Sequence, residues 1–136
     1  MNHNFKNLKI WKQSMEITSE IHEICLVFPR NETYGLVSQI NRASVSIASN
    51  IAEGSNRNNK HFSHFLNISL GSAFELQTQL LIANMHNYVS TEKTTELENK
   101  IIELQINILF YLKTENDPNE DYLKFKLIQK IKNEDF

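Results

Sequence analysis

Turn-forming residues are scarce enough to decide the fold class. Among 136 residues there are only 3 glycines and 2 prolines. A sandwich or barrel needs many tight turns, built from Gly, Asn-Gly pairs and Pro. The expectation is an all-α chain. Hydrophobic residues are 40% and charged residues 22% of the sequence, the balance of a folded domain rather than a disordered chain. A single domain of this length buries about two-thirds of the surface its unfolded chain exposes. The 14 basic and 16 acidic residues give a net charge of -2, so no bulk positive field announces a nucleic-acid partner.

Apolar periodicity draws the helices. A first helix spans Phe5 to Phe28 and stops before Pro29, with Ile10, Ile17, Ile21, Ile24 and Phe28 on one stripe and Leu8, Trp11 and Met15 on a second. The next lies between Tyr34 and Gly54, with Leu36, Ile40, Ala43, Ile47 and Ile51 as its seam and Gly54 read as the C-terminal cap. A third runs from Asn59 to Asn87 on Phe62, Leu66, Ser69, Ala73, Leu76, Leu80 and Ala83. The fourth follows Ser90 as N-cap and carries Leu97, Ile101, Leu104, Ile108 and Tyr111. The Thr114–Pro118 break then divides a bundle domain, 1–113, from a C-terminal extension, 114–136, expected to hold a short helix from Asp121 to Lys132.

Cys25 is the single cysteine, the N-terminal segment has no apolar run after its lysines, and no uncharged stretch approaches bilayer length. A cytoplasmic protein without membrane contact is expected.

Charge is distributed unevenly. Residues 33–56 contain only Arg42 and Glu53, and residues 61–90 only Glu75. A solvated helix face is normally rich in Lys and Glu. Faces made of Ser, Asn, Gln, Thr and Gly beside extra apolar stripes suit contact with another subunit. On the second helix Gln39, Arg42, Ser46, Asn50 and Glu53 fall within a sector about 80° wide. Arg42 and Glu75, isolated charges on adjacent helices, are candidates to pair within a subunit or across a boundary.

Several blocks in order carry a family resemblance. Tyr34-Gly-Leu-Val-Ser-Gln39, Arg42-Ala43, and Ser46-Ile-Ala-Ser-Asn50-Ile-Ala-Glu53-Gly54 form the first. Gly71-Ser72-Ala-Phe-Glu75-Leu with Gln79-Leu80 forms the second, and Phe5-Lys-Asn-Leu8 with Trp11-Lys12 the opening. Over residues 5–113 the chain resembles the four-helix-bundle proteins encoded in 23S rRNA intervening sequences, which are distantly related to accessory proteins of diversity-generating retroelements. The resemblance implies a left-handed up-and-down bundle that assembles into a homo-oligomeric ring, a pentamer favoured. It marks Gln39, Arg42, Ser46, Asn50, Glu53, Gly54, Ser72, Glu75 and Gln79 as signature or interface positions. Asn41 departs from the family's second basic residue, Ala48 from its frequent Pro, and 114–136 lies beyond its usual end.

Catalytic patterns are missing from the sequence. No Glu stands three residues before any His, as a di-iron bundle requires. His61 and His64 share a helix face without thiolate or carboxylate help, and no phosphate loop or dinucleotide fingerprint occurs. Ser46 has no His within helical reach, and Cys25 sits among apolar neighbours as a core thiol. A non-enzyme is expected, with no cofactor, metal or small-molecule substrate. Basic residues cluster at Lys6, Lys9 and Lys12, at Arg57 and Lys60, and at Lys124, Lys126, Lys130 and Lys132. The first two clusters are the nucleic-acid candidates. The functional expectation is a ring-forming adaptor contacting RNA or an RNA-associated protein, and the alternative is a purely protein-binding scaffold.

Overall fold

The computed structural model describes residues 4–114 together with 128, 129 and 132. Four α-helices and two 3-10 turns make up the described secondary structure: η1 (Phe5–Asn7), α1 (Lys9–Cys25), η2 (Arg30–Glu32), α2 (Leu36–Ser55), α3 (Asn59–Met85) and α4 (Thr91–Thr114). Ile128, Gln129 and Lys132 are helical; the rest of the expected C-terminal helix lies outside the described residues.

Side-chain contacts fix the topology. From α1 to α4, Asn107 meets Gln13, Lys100 meets Glu16, and Lys93 meets Glu20, so one number rises as the other falls. Asn84 meets Thr91 while Gln77 meets Glu98 and Gln105, making α3 and α4 antiparallel. Ser72 meets Ser46, and Phe65 packs on Gly54, making α2 and α3 antiparallel too. The helices therefore run up and down in sequence order. Their buried lines converge on one core that includes Ile17, Ile21, Ile40, Ile47, Ile51, Phe62, Leu66, Leu76, Leu80, Leu97, Ile101 and Leu104. These are the apolar positions whose helical spacing identified the stripes.

Three local departures have physical causes. The expected first helix is broken at Leu8, whose extended backbone separates η1 from α1. Asn4 starts that separate turn by accepting from the Lys6 N–H, and Phe5 then folds back edge-on to Trp11 at 5.3 Å. Gly54 is not a left-handed cap, for it lies inside α2 and no described glycine has positive φ. A Cβ there would stand 2.6 Å from Phe65 Cβ, so the residue is small because two helices meet at it. The left-handed cap belongs instead to Asn87, φ 64°, where Tyr88 N–H bonds Ala83 O and Asn87 N–H bonds Asn84 O. Those two bonds satisfy carbonyls that the end of α3 would otherwise orphan. Ser90 caps α4 as expected, its Oγ accepting from the Lys93 N–H. Among the described residues no helix is long and apolar enough to cross a membrane.

Candidate functional site

Of the signature residues, Ser46, Asn50, Gly54 and Ser72 lie along the α2–α3 seam. Ser46 Oγ and Ser72 Oγ are 2.8 Å apart, and Asn50 Nδ2 donates to both the Ser46 carbonyl and its Oγ. Ser69 Oγ donates to the Ile47 carbonyl across the same junction. Two facing serines and the Gly54 contact let the helices approach closely, and each hydroxyl has a partner. Small polar side chains here supply proximity and fixed register rather than chemistry.

Above the serines the seam changes character. Gln79 is buried, its Nε2 donating to Glu75 Oε1 at 3.0 Å, while its own Oε1 is buried without a partner. Glu75 and Arg42 are both exposed, and no ion pair joins them, so pairing within the subunit does not occur. Gln39 is exposed at the upper end of the stripe. At the lower end Glu53 pairs with Arg57 at 3.9 Å, and the Arg57 guanidinium lies 5.6 Å from the Phe65 ring centroid.

The antiparallel order gathers the two basic clusters at one end of the bundle. Lys6 and Lys9 open the first turns, Lys12 stands one turn along α1, and Arg57 and Lys60 flank the α2–α3 junction. All five are exposed. Asn58 caps α3 there by accepting from the His61 N–H. Lys113, in the last turn of α4, joins them. Sequence reasoning missed it, because only the pairing of α4 with α1 brings residue 113 near residue 9. A groove of about 180 Å³ lined by Lys9, Ile10, Asn107, Phe110 and Tyr111 sets two aromatic rings beside a lysine. Among the described residues the carboxylates nearest this end are Glu53 on α2 and Glu16, one turn past Lys12 on α1. Glu20, Glu23, Glu32, Glu92 and Glu96 stand toward the other end, with Arg30 and Lys93.

Charges on α1 and α4 form a bridge absent from the sequence reading. Lys100 Nζ reaches Glu16 at 3.0 Å and Glu20 at 2.9 Å, and Lys93 adds a contact to Glu20 at 3.4 Å. Burial pushes the Glu20 carboxyl pKa up, but hydrogen bonds and attraction from Lys100 and Lys93 outweigh it and hold the group below its ordinary value. The hydrogen bonds that Lys100 donates to Glu20 and Glu16 raise its own pKa. Near the opposite end burial, together with a hydrogen bond to the Glu32 carboxylate, raises the Tyr88 hydroxyl, tying the first loop to the third. Cys25 is buried, and burial pushes its thiol up to about 11 against a weaker hydrogen bond with Asn41. A thiol held protonated in this way is a poor nucleophile. Among the described residues, no three of His, Cys, Asp and Glu are grouped to hold a metal ion.

Comparison with known proteins agrees with this architecture. The fold is similar to a crystal structure of a protein with unknown function from the S23 ribosomal protein family of Bacteroides thetaiotaomicron, at a TM-score of 0.71 and 23% identity. That match covers 77% of this chain and 99% of the other. No curated protein sequence matches. The family model described as 23S rRNA-intervening sequence protein matches residues 6–109, which include the whole α2–α3 seam and all but the last turn of the bundle. The chain therefore belongs to the 23S rRNA-intervening sequence protein family.

Proposed function

We propose that this protein is a non-catalytic adaptor, a left-handed bundle that assembles with copies of itself into a ring, a pentamer favoured, and offers its basic end to RNA or to an RNA-associated protein. The observation that carries the reading is the charge polarity of the bundle. Lys6, Lys9, Lys12, Arg57, Lys60 and Lys113 stand toward one end, where the nearest described acids are Glu53 and Glu16, although the whole chain is net negative. Phosphate binding responds to local charge, and a ring multiplies each patch by the number of subunits.

Self-association is supported by the outer faces of α2 and α3. Val45, Ile68, Phe74, Leu81 and Met85 are exposed apolar side chains on two helices with almost no charge. Covering them removes apolar surface from water and desolvates few ions.

A scaffold reading without nucleic acid draws on the opposite end, where Leu26, Val27 and Tyr34 are 72%, 79% and 97% exposed. Apolar loops of that kind suit a protein partner.

The test is fluorescence anisotropy with structured and single-stranded RNA from low to physiological salt, on protein whose mass is known from light scattering. Binding should weaken linearly in log[salt], and the pair Lys9→Glu, Lys60→Glu should lower both the affinity and the slope. No binding at low salt refutes the RNA reading, and the search then turns to partners recovered by pull-down.

A further inference from the structure

We propose that the C-terminal segment 121–132 folds back along α4 and occupies the outer groove between α3 and α4 of its own subunit. The proposal stands apart from the assembly and RNA readings above.

The starting point is a second apolar line on α4. Leu97, Ile101, Leu104 and Ile108 form the line that enters the core. Ile102, Ile106 and Leu109 repeat at helical spacing about 130° further round the axis. All three are half-buried, and none belongs to the core or to the described residues packed on it. Their line lies on the α3 side of α4, beside Gln105, whose Nε2 donates to Gln77 of α3. At its foot is a groove of about 340 Å³ lined by Ser63, Asn67, Leu109, Leu112 and Lys113. Lys113 is in the last turn of α4, so the groove opens where the chain leaves that helix.

The opposite flank of α4 is already occupied. Asn107 meets Gln13 there, Lys100 meets Glu16 and Glu20, and Lys93 meets Glu20. A further helix on that side would strip water from these charges. On the α3 side it would cover apolar surface at little such cost.

The segment after α4 matches the groove in length, polarity and charge. Residues 121–132, as a helix, span about 18 Å, close to the distance of about 16 Å from Lys113 back to Ile102 along α4. Residues 115–120, with Pro118, are as long as connections that join antiparallel helices. Tyr122, Phe125 and Ile128 recur at helical spacing. Ile128, Gln129 and Lys132 are helical, and Ile128 is half-buried where the other two are exposed. Ile128 therefore has a neighbour that Gln129 and Lys132 lack. Charge sets the direction. Glu115, Asp117, Glu120 and Asp121 come first, and a fold-back keeps them near Lys113, Lys60 and Arg57. Lys124, Lys126, Lys130 and Lys132 follow without an acid among them. The same fold-back carries them up α4 toward Glu103 and Glu98, whereas Lys93 and Lys100 are turned to α1.

Trypsin cleaves after lysine, so the four lysines make the segment its own reporter. Limited digestion of the full chain, read by mass spectrometry, should cut there at least ~10-fold more slowly than in a free peptide of residues 115–136. Ile106→Asp should remove most of this protection while circular dichroism shows the bundle intact. Leu109→Ala is a milder variant that should speed cleavage about 3-fold or more, and it serves if Ile106→Asp fails to fold. Val45→Asp, on the outer side of α2, should leave the rates unchanged. Protection should also persist on dilution to a concentration at which light scattering gives the monomer mass. Wild-type cleavage at the peptide rate overturns the proposal, as do folded groove variants that keep full protection. Protection that disappears on dilution, or in Val45→Asp, places the segment on a neighbouring subunit and overturns it as well.

Discussion

Replacing each of two helical glycines by alanine should move stability in opposite directions. At Gly54 a new Cβ would stand 2.6 Å from Phe65 Cβ, 3.0 Å from Phe62 Cδ1 and 3.2 Å from Phe65 Cγ. The nearest atom is anchored to the α3 backbone, so no rotamer change relieves the overlap. The helices must separate, which loosens the Ser46–Ser72 and Ser69–Ile47 contacts along the same seam. Overpacking of this kind costs about 1–3 kcal/mol, and the helix propensity of alanine returns at most about 1 kcal/mol. At Gly71 nothing lies within 4 Å of the added Cβ, so only the propensity gain of about 0.5–1 kcal/mol acts. For a domain of this size each kcal/mol shifts the melting midpoint by about 3–5 °C. Gly71→Ala should therefore melt a few degrees above wild type and Gly54→Ala several degrees below it. Melting has to be compared at one protein concentration, since association raises the midpoint. A Gly54→Ala protein that melts at or above wild type would refute the close-approach argument.

The ion bridge between α1 and α4 predicts a pH dependence. The folded-state pKa of Glu20 is depressed, so its contribution is present above the unfolded value of 4.5 and is lost as pH falls through the folded value. Glu20→Gln should cost about 1 kcal/mol near neutrality and flatten the fall in melting temperature below about pH 4.5; an unchanged acid limb would contradict it. At the end of α3, Asn87 holds φ 64°. Asn87→Ala should lose about 1 kcal/mol while Asn87→Gly is close to neutral, and urea titration of both variants would distinguish strain from a lost side-chain contact.

The fold was legible because each helix writes its buried line at a single spacing. Ile40, Ala43, Ile47 and Ile51, or Phe62, Leu66, Ala73, Leu76 and Leu80, are recognisable in sequence and buried in the structure. The Leu8 break was not legible, since it depends on Asn4 starting its own turn and on Phe5 reaching Trp11. Gly54 was misread for a related reason. A glycine near a helix end signals a cap by default, and only the position of Phe65 on the next helix shows that it serves contact instead. Spacing set Gln39, Arg42, Ser46, Asn50 and Glu53 in one sector by angle alone, and of these Ser46 and Asn50 meet at the α2–α3 junction. That Gln79 would be buried with an unused oxygen was invisible, because burial of a polar residue depends on the neighbouring helix rather than on spacing.

The division of charge between the helix pairs links these observations. Lys93 and Lys100 with Glu16 and Glu20 hold α1 to α4, an arrangement that needs long, partly solvated side chains at the helix junction. The α2–α3 pair is joined by Ser46, Ser69, Ser72 and Gly54, which need closeness and little solvation. A pair joined by short side chains needs few ions on its flanks, and α2 and α3 accordingly turn Val45, Ile68, Phe74 and Leu81 outward. Desolvating such a face costs little, whereas burying the α1–α4 surface would strip water from several charges. The small-residue junction inside the subunit and the low-charge face outside it are thus two consequences of one choice of side chains. A lysine placed at Ser49 would test that link directly, because it leaves the internal serine junction untouched while adding a charge to the outer face. If assembly persists unchanged in Ser49→Lys at physiological salt, the outward side of α2 is not what the subunits share.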